Sequence, residues 1–226
     1  MNIESIVARD LPDAWFLCLD RISDVGSMYT VDRGSYEGQQ RLEFDYITIH
    51  IKYPGVRPLL PDIPSHLGIP NPVEEGYLEQ YLPYLMTSEK QPGEFYTYGE
   101  RLEDQIQKVI SMYNKQGFGT NQACMSVSTH SDIDLPDPPC LRSIDTRISD
   151  GRLHFVVYFR SWDLWNGLPA NLGAIQLLKE YMGAEIGVGD GEIIASSKGL
   201  HLYDYAWELS KLRTGKNSIK NLCGRD

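Results

Sequence analysis

Cysteine is scarce in this chain of 226 residues, and long apolar runs are absent. No two of the four cysteines form a C-x-x-C clip, so neither a structural zinc site nor a disulfide framework is favoured, and we predict no metal site. The four are Cys18, Cys124, Cys140 and Cys223. No apolar stretch is long enough to cross a bilayer, and the N-terminus lacks the basic-then-apolar pattern of a secretory signal. These absences predict a cytoplasmic protein without a membrane partner.

The chain also lacks an excess of positive charge. Its 21 lysines and arginines against 31 acidic residues give a formal net charge of −10. That balance argues against sequence-independent binding of nucleic acid. It does not exclude binding of one phosphomonoester, for which a few local arginines are enough. Hydrophobic residues make up 42% of the chain, as in an ordinary globular protein. The length predicts a single domain, residues 1–226, with a sizeable core.

The first half of the chain is predicted to contain helices, one strand and a long loop. Asp10 would cap a helix in "DLPDAWFLCLDRI" that has Pro12 in its first turn, and "YITIHIKYP" alternates like a half-buried strand. Residues 55–73 are rich in proline yet keep apolar residues, which indicates an ordered loop. Two further helices are predicted, one in "VEEGYLEQYLPYLM" up to Pro83 and one in "LEDQIQKVISMYNKQG", which ends at a glycine.

The second half is richer in strands. "ACMSVSTH", "CLRSIDTRIS" and "RLHFVVYFRS" are strand-like, and Asp150-Gly151 predicts a tight hairpin turn between the last two. "LPANLGAIQLLKEYMG" predicts a strong helix. "EIIASSKGLHLYDY" predicts one last strand leading into a helix that carries Trp207. Because neighbouring strands are joined by hairpins more than by crossovers, we predict an α+β fold. Its sheet would be largely antiparallel or mixed, with helices packed on one face.

Two prolines precede one of the cysteines, Cys140, in the stretch "LPDPPCLRS". A free cysteine is often a buried small hydrophobe, but a thiol at the end of a stiff turn can also act as a nucleophile. The predicted hairpin leaves from Cys140 and returns at "FRSWD", which brings Arg160 and Ser161 to the same end of the sheet. An arginine there would lower the pKa of the thiol and could form bidentate hydrogen bonds with a phosphate. An isolated arginine on a strand would instead indicate a surface ion pair.

Other motifs accompany this hairpin. Residues 160–171 read "RSWDLWNGLPAN", a later strand ends in "LHLY", and "YGERLEDQI" lies upstream. Together with "PPC", these motifs resemble those of the thymidylate synthase family in order and spacing, over roughly residues 95–210. The resemblance implies a thymidylate synthase-like fold and a covalent mechanism on the nucleotide dUMP.

The resemblance also implies a role for each matched residue. Cys140 would add to C6 of the pyrimidine, while Arg160 and Ser161 would bind the phosphate. Asn171 would read the uracil edge by accepting from N3–H and donating to O4. His201 and Tyr203 would bind the 3′-hydroxyl of the deoxyribose. Asp163 would face the pterin ring or help to order the nucleotide, and Tyr98 would be a catalytic tyrosine.

The N-terminal part offers two further candidates. Arg33 in "VDRGSYEG" would close over the phosphate, and its alternative is a plain turn arginine. Glu79 in "YLEQYLPYL" would relay protons through water. Glu74 or Glu75 could take that role instead, and a solvated helix face is the alternative for all three glutamates.

The sequence departs from the family pattern in several places. The stretch "GTNQACMSV" holds no arginine where the family has a pair that reaches the partner's phosphate. Phosphate binding would then rely on Arg160, Ser161 and Arg33, with Arg142 or Arg101 as further candidates. The chain also ends soon after Tyr203. These features indicate a short, divergent branch of archaeal type, whose cosubstrate is 5,10-methylenetetrahydrofolate or a methanopterin analogue.

The predicted function is therefore the reductive methylation of dUMP to dTMP, with the reduced pterin donating both carbon and hydride. Two alternatives remain, a pyrimidine-nucleotide hydroxymethylase and a catalytically silent nucleotide-binding relative. The intact set around Cys140 argues against silence, and Asn171 argues against a cytosine substrate. We also expect a homodimer, because "LHFVVYF" carries more apolar side chains than one core face requires. No nucleic acid partner is expected.

Overall fold

The computed structural model of the chain describes residues 1–34 and 36–216, so Cys223 lies outside the described residues. The α-helices within these ranges are α1 (Leu11–Val25), α2 (Tyr77–Met86), α3 (Tyr98–Gln116), α4 (Gly167–Ile186) and α5 (Trp207–Thr214). The strands are β1 (Ile3–Ala8), β2 (Ser27–Thr30), β3 (Gln40–Glu43), β4 (Tyr46–Ile51), β5 (Cys124–Ser126), β6 (Leu141–Ser149), β7 (Arg152–Phe159), β8 (Trp162–Asp163), β9 (Gly189–Ser197) and β10 (Leu200–Tyr203). Short 3-10 turns occur at Ser65–Leu67, His130–Asp134 and Asp204–Ala206.

The strands form two mixed sheets. The larger has the order β1-β4-β9-β7-β6-β5, in which β1 with β4 and β7 with β9 run parallel and the other pairs antiparallel. The smaller has the order β2-β3-β10-β8, with only β8 and β10 parallel. The predicted α+β class with a mixed sheet is confirmed.

Helices cover one face of the larger sheet. Alternate residues of β7 and β9 are buried, and they pack near the buried stripe of α4. The α4 stripe consists of Leu172, Ile175, Leu178 and Met182. On the opposite face Ile3, Val7 and Val156 are exposed. The prediction of helices on one face is therefore confirmed, and the other face is uncovered in the single chain.

Local signals placed several elements correctly. The Asp10 carboxylate accepts a hydrogen bond from the Asp13 N–H at 3.0 Å and caps α1. Asp150 and Gly151 both have positive φ, 51° and 68°, as a two-residue type I′ hairpin turn requires. The loop at residues 55–73 is ordered by buried apolar side chains such as Leu59 and Ile63.

Two predicted boundaries were wrong. Helix α2 continues past Pro83 to Met86, because the missing proline N–H removes only the bond to the carbonyl of the exposed residue Glu79. The Thr87 N–H and hydroxyl then close the helix on the Pro83 carbonyl at 2.8 and 3.0 Å. The predicted last strand is really two strands, β9 and β10, which belong to different sheets. None of the helices within the described ranges is long and apolar enough to span a bilayer.

Candidate active site

A cavity of about 450 Å³ lies where β7, β8 and β10 end, beside the loop that contains Arg33. It brings together most of the residues predicted from the sequence. Those that line it are Arg33, Cys140, Arg160, Ser161, Asp163, His201 and Tyr203. Its other lining residues include Arg41 and Asp137.

A second cavity, of about 480 Å³, adjoins the first. The two cavities share Tyr36, Asp163 and Asn166 as lining residues. The second is lined in addition by Pro72, Val73, Glu74, Tyr77, Gly167, Ala170 and Asn171. Asn171 therefore faces the second cavity, next to the one that contains Cys140.

Cys140 is held by its neighbours on both strands of the hairpin. The Arg160 N–H donates to the Cys140 carbonyl at 2.8 Å, and the Leu141 N–H donates to the Tyr98 hydroxyl at 3.3 Å. The Arg160 side chain also donates to the carbonyls of Pro138 and Pro139. The double-proline turn is therefore tied to the end of β7 by the same arginine that lines the cavity.

The pKa of the Cys140 thiol is set by burial and by two opposite charges. Burial raises its pKa above the ordinary thiol value, and the Asp137 carboxylate raises it further. The guanidinium of Arg160 lowers the pKa, as expected, but by less than burial raises it. Arg160 is also paired with Asp137 at 3.3 Å. Arg160 therefore favours the thiolate, as the sequence predicts, but burial outweighs it and the pKa of the free thiol is raised overall.

His201 and Tyr203 point from one face of β10 toward the cavity. The Nδ1 of His201 lies 2.8 Å from the Gly199 carbonyl, and because a carbonyl only accepts, Nδ1 carries the proton and Nε2 is an acceptor. Burial, reinforced by the Arg41 charge, lowers the pKa of His201 to about 3. The imidazole therefore stays neutral at physiological pH.

Arg41 is a cavity residue that the sequence reasoning missed. It lies opposite Tyr203 in the β3–β10 pair, forms a 2.7 Å ion pair with Glu43 and stacks over the Tyr29 ring at 4.7 Å. In the described part of the chain, its buried Nε has no hydrogen-bond partner. Arg41 reaches the cavity because β3 pairs with β10, a strand far along the chain. No local sequence motif indicates this position.

Asp163 has a structural contact as well as a place in the cavity. Its carboxylate accepts hydrogen bonds from the N–H groups of Trp165, Asn166 and Gly167 at 3.2, 3.1 and 3.2 Å, at the start of α4. Burial raises its pKa, and the three N–H groups oppose that shift. Asp163 therefore shapes the wall that the two cavities share.

Three predicted residues do not line the first cavity. Tyr98 is buried behind Cys140, and Asn171 lies in the second cavity. Glu79 is exposed on α2 and lines neither cavity, whereas Glu74 lines the second.

The two further arginines that the sequence offered for a phosphate also lie elsewhere. Arg101 and Arg142 both pair with the buried carboxylate of Asp132, at 2.8 and 3.1 Å. Neither lines the first or the second cavity. Their charges are used to hold the turn before Cys140 rather than to meet a ligand there.

Comparisons with known proteins show what this chain is similar to. A family model described as thymidylate synthase matches residues 12–221. The chain is similar to a protein of Methanosarcina acetivorans, with 30% identity over 90% of this chain and 91% of the relative. A protein of Methanococcoides burtonii is 31% identical over 90% of this chain and 91% of its own length. One from Methanothermobacter marburgensis is 24% identical over 96% and 98%. All three carry the name "Putative thymidylate synthase".

Proposed function

Because the chain belongs to the thymidylate synthase family, we propose that it catalyses the reductive methylation of dUMP to dTMP. The observation that supports this most directly is the first cavity. One thiol, Cys140, shares it with two arginines, Arg33 and Arg160, and with the His201–Tyr203 pair. We further propose that residues 1–226 act as one catalytic domain.

The phosphate of dUMP would bind to Arg33, Arg160 and Ser161. Arg33 is exposed and lines the first cavity. Arg160 would exchange Asp137, whose side chain is 72% exposed, for the more strongly charged phosphate. The 3′-hydroxyl of the sugar would donate to the neutral His201 Nε2, and the Tyr203 hydroxyl lies beside it.

The covalent step would use the Cys140 sulfur. The thiol loses its proton, the Sγ–C6 bond forms, and the C5=C6 electron pair moves toward the C4 carbonyl, which makes C5 nucleophilic. C5 would then bond to the one-carbon unit of the reduced pterin, and the bond from that carbon to the carrier nitrogen would break as the C5 proton passes to a base. A hydride from the carrier would complete the methyl group, and the Sγ–C6 bond would break as the C5=C6 bond re-forms. Because burial and Asp137 both raise the Cys140 pKa, the thiol would give up its proton as the Sγ–C6 bond forms rather than beforehand.

The second cavity fits a reduced pterin, because its walls include Tyr36, Pro72, Val73 and Tyr77, which suit a flat ring. That cosubstrate, 5,10-methylenetetrahydrofolate or a methanopterin analogue, would supply the one-carbon unit and the hydride. Glu74 lines this cavity, and we place the proton relay on it in preference to Glu79. Asn171, on the same wall, would read the pyrimidine.

A second copy of the chain would cover the open face of the larger sheet. The apolar side chains of Ile3, Val7 and Val156 are 77%, 62% and 42% exposed there, and burial of such side chains against a second copy would be favourable. We therefore propose a homodimer.

Trapping with 5-fluoro-dUMP tests the proposal. The fluorine cannot leave as the C5 proton does, so the protein–nucleotide bond persists and is measured by intact mass with each reduced pterin in turn. We expect an adduct in the wild type and in Cys124→Ser, which removes an exposed thiol outside the cavity. Cys140→Ser should form none and still bind dUMP.

Failure of the wild type to form an adduct with any reduced pterin would contradict the mechanism. The product of dUMP itself, identified by mass, separates the remaining outcomes. Methylated nucleotide supports the proposal, hydroxymethylated nucleotide indicates the hydroxymethylase, and unchanged dUMP indicates a silent relative.

A further inference from the structure

The side-chain amide of Asn171 is held by two partners of different hydrogen-bonding character. The indole Nε1 of Trp162 donates to Asn171 Oδ1 at 2.9 Å, and Asn171 Nδ2 donates to the Tyr81 hydroxyl at 2.8 Å. An indole N–H can only donate, whereas a hydroxyl can donate or accept. Of the two partners, only Trp162 therefore determines which end of the amide is the oxygen.

The Trp162 donor is itself fixed in place. Its ring stacks on Phe159 with centroids 4.0 Å apart and an angle of 5° between the planes, and the residue is 2% exposed. Its backbone N–H donates to the Gly199 carbonyl at 3.0 Å, beside β10. The indole N–H cannot turn away from Asn171 without breaking this packing.

The two contacts leave part of the amide free. Within residues 1–34 and 36–216, Oδ1 retains one acceptor position and Nδ2 one N–H. Gly167 has no side chain that could cover the oxygen, and a Cβ added there would lie 3.8 Å from Oδ1. The positions left on the Asn171 amide are therefore one acceptor and one donor, in an order set by Trp162.

We infer that Trp162 determines pyrimidine specificity by holding the Asn171 amide in the orientation that matches uracil. This inference rests on the proposed function, in which Asn171 reads the base. Uracil presents a donor at N3 and an acceptor at O4, which the fixed amide complements. Cytosine presents the reverse pattern, so it needs the flipped amide.

Flipping the amide is costly in the wild type because it sets Nδ2 against the indole N–H, and two donors then face each other. A buried donor left without an acceptor loses a hydrogen bond and keeps its desolvation cost, which corresponds to roughly tenfold in affinity. Without the indole N–H, both orientations become accessible, and the preference for uracil falls.

The test compares dissociation constants for dUMP and dCMP by calorimetry in Trp162→Phe and Tyr81→Phe. Each variant removes one hydrogen bond from the same amide. We expect the dCMP/dUMP ratio of dissociation constants to fall about tenfold in Trp162→Phe and to stay at the wild-type value in Tyr81→Phe. A general loss of protein stability would weaken the binding of both nucleotides equally and leave the ratio of their dissociation constants unchanged. An unchanged ratio in Trp162→Phe, or equal falls in both variants, would overturn the inference.

A second comparison uses the symmetry of a carboxylate. In an Asn171→Asp background the ionised carboxylate has two equivalent acceptor oxygens and no donor end, so Trp162 has no orientation to set. Adding Trp162→Phe there should leave the ratio where Asn171→Asp alone put it. A further tenfold change would show that Trp162 acts by another route and would contradict the inference.

The outcomes separate this inference from the proposed function. Wild-type protein that binds neither nucleotide contradicts the function, whereas binding of dUMP with no response of the ratio to Trp162 contradicts only the inference. If Trp162→Phe does not fold, replacing the indole with its benzothiophene analogue removes the N–H while keeping the size of the ring. The same fall in the ratio is then expected.

Discussion

The buried histidine of the cavity makes the stability of the protein depend on pH in a way that one substitution should reveal. His201 is 3% exposed, and its pKa is lowered to about 3 from 6.5 by burial and by Arg41. The folded protein therefore keeps the imidazole neutral at a pH where the unfolded chain protonates it. Between those two pKa values the unfolded state binds more protons, so stability falls as the pH falls.

The size of this effect follows from the two pKa values. Near pH 7 the unfolded imidazole is mostly neutral and the penalty is small. At pH 5 the unfolded side chain is protonated and the folded one is not, which destabilises the fold by about 2 kcal/mol. The penalty continues to grow down to the folded pKa and is constant below it.

Substitution His201→Gln removes the titrating group, and the loss of stability between pH 7 and pH 5 should shrink by about 2 kcal/mol. The measurement is the free energy of unfolding in urea at both pH values. His66→Gln, at an exposed histidine, is the matched control and should behave as the wild type. Carboxylates with lowered pKa, such as Glu192, contribute equally in all three proteins. Equal losses in wild type and His201→Gln would refute the reasoning.

Two other outcomes are expected. Asp137→Asn removes the carboxylate that raises the Cys140 pKa and pairs with Arg160, so alkylation of Cys140 by iodoacetamide at pH 7 should become severalfold faster, as followed by peptide mass. An unchanged rate would show that burial alone controls the thiol. Sedimentation at micromolar concentration should show a dimer, and Val156→Arg, on the open face of the larger sheet, should shift it toward monomer. A monomeric wild type would contradict the proposed interface.

Local chemistry explains what the sequence could predict. The turn at Asp150 and Gly151 is short and its residues favour positive φ, so the hairpin had to bring Cys140 and Arg160 together. Their backbone hydrogen bond of 2.8 Å confirms that expectation. The cap at Asp10 is equally local.

Contacts between distant segments explain what the sequence could not predict. The two hydrogen bonds to Asn171 come from residues on α2 and β8, while Asn171 itself lies on α4. In the sequence, nothing distinguishes Trp162 from an ordinary core residue. The rotation of α2 decides which side chains face the second cavity, and a short helix interrupted by Pro83 does not reveal that rotation. Hence Tyr81 reaches Asn171, while Glu79 faces solvent.

The formal charge of −10 hides a local concentration of arginine at the first cavity. Arg41 is balanced by Glu43 at 2.7 Å and lies opposite Tyr203, so under the proposed function it would lie at the sugar end of the site. Among the residues that the structure describes, Arg160 forms an ion pair only with the exposed Asp137, which a phosphate would replace under the proposed function. With Arg33 also facing the cavity, two cations of one chain can meet the two charges of a phosphomonoester. Under the proposed function, the chain therefore needs no arginine from a partner subunit to bind its nucleotide.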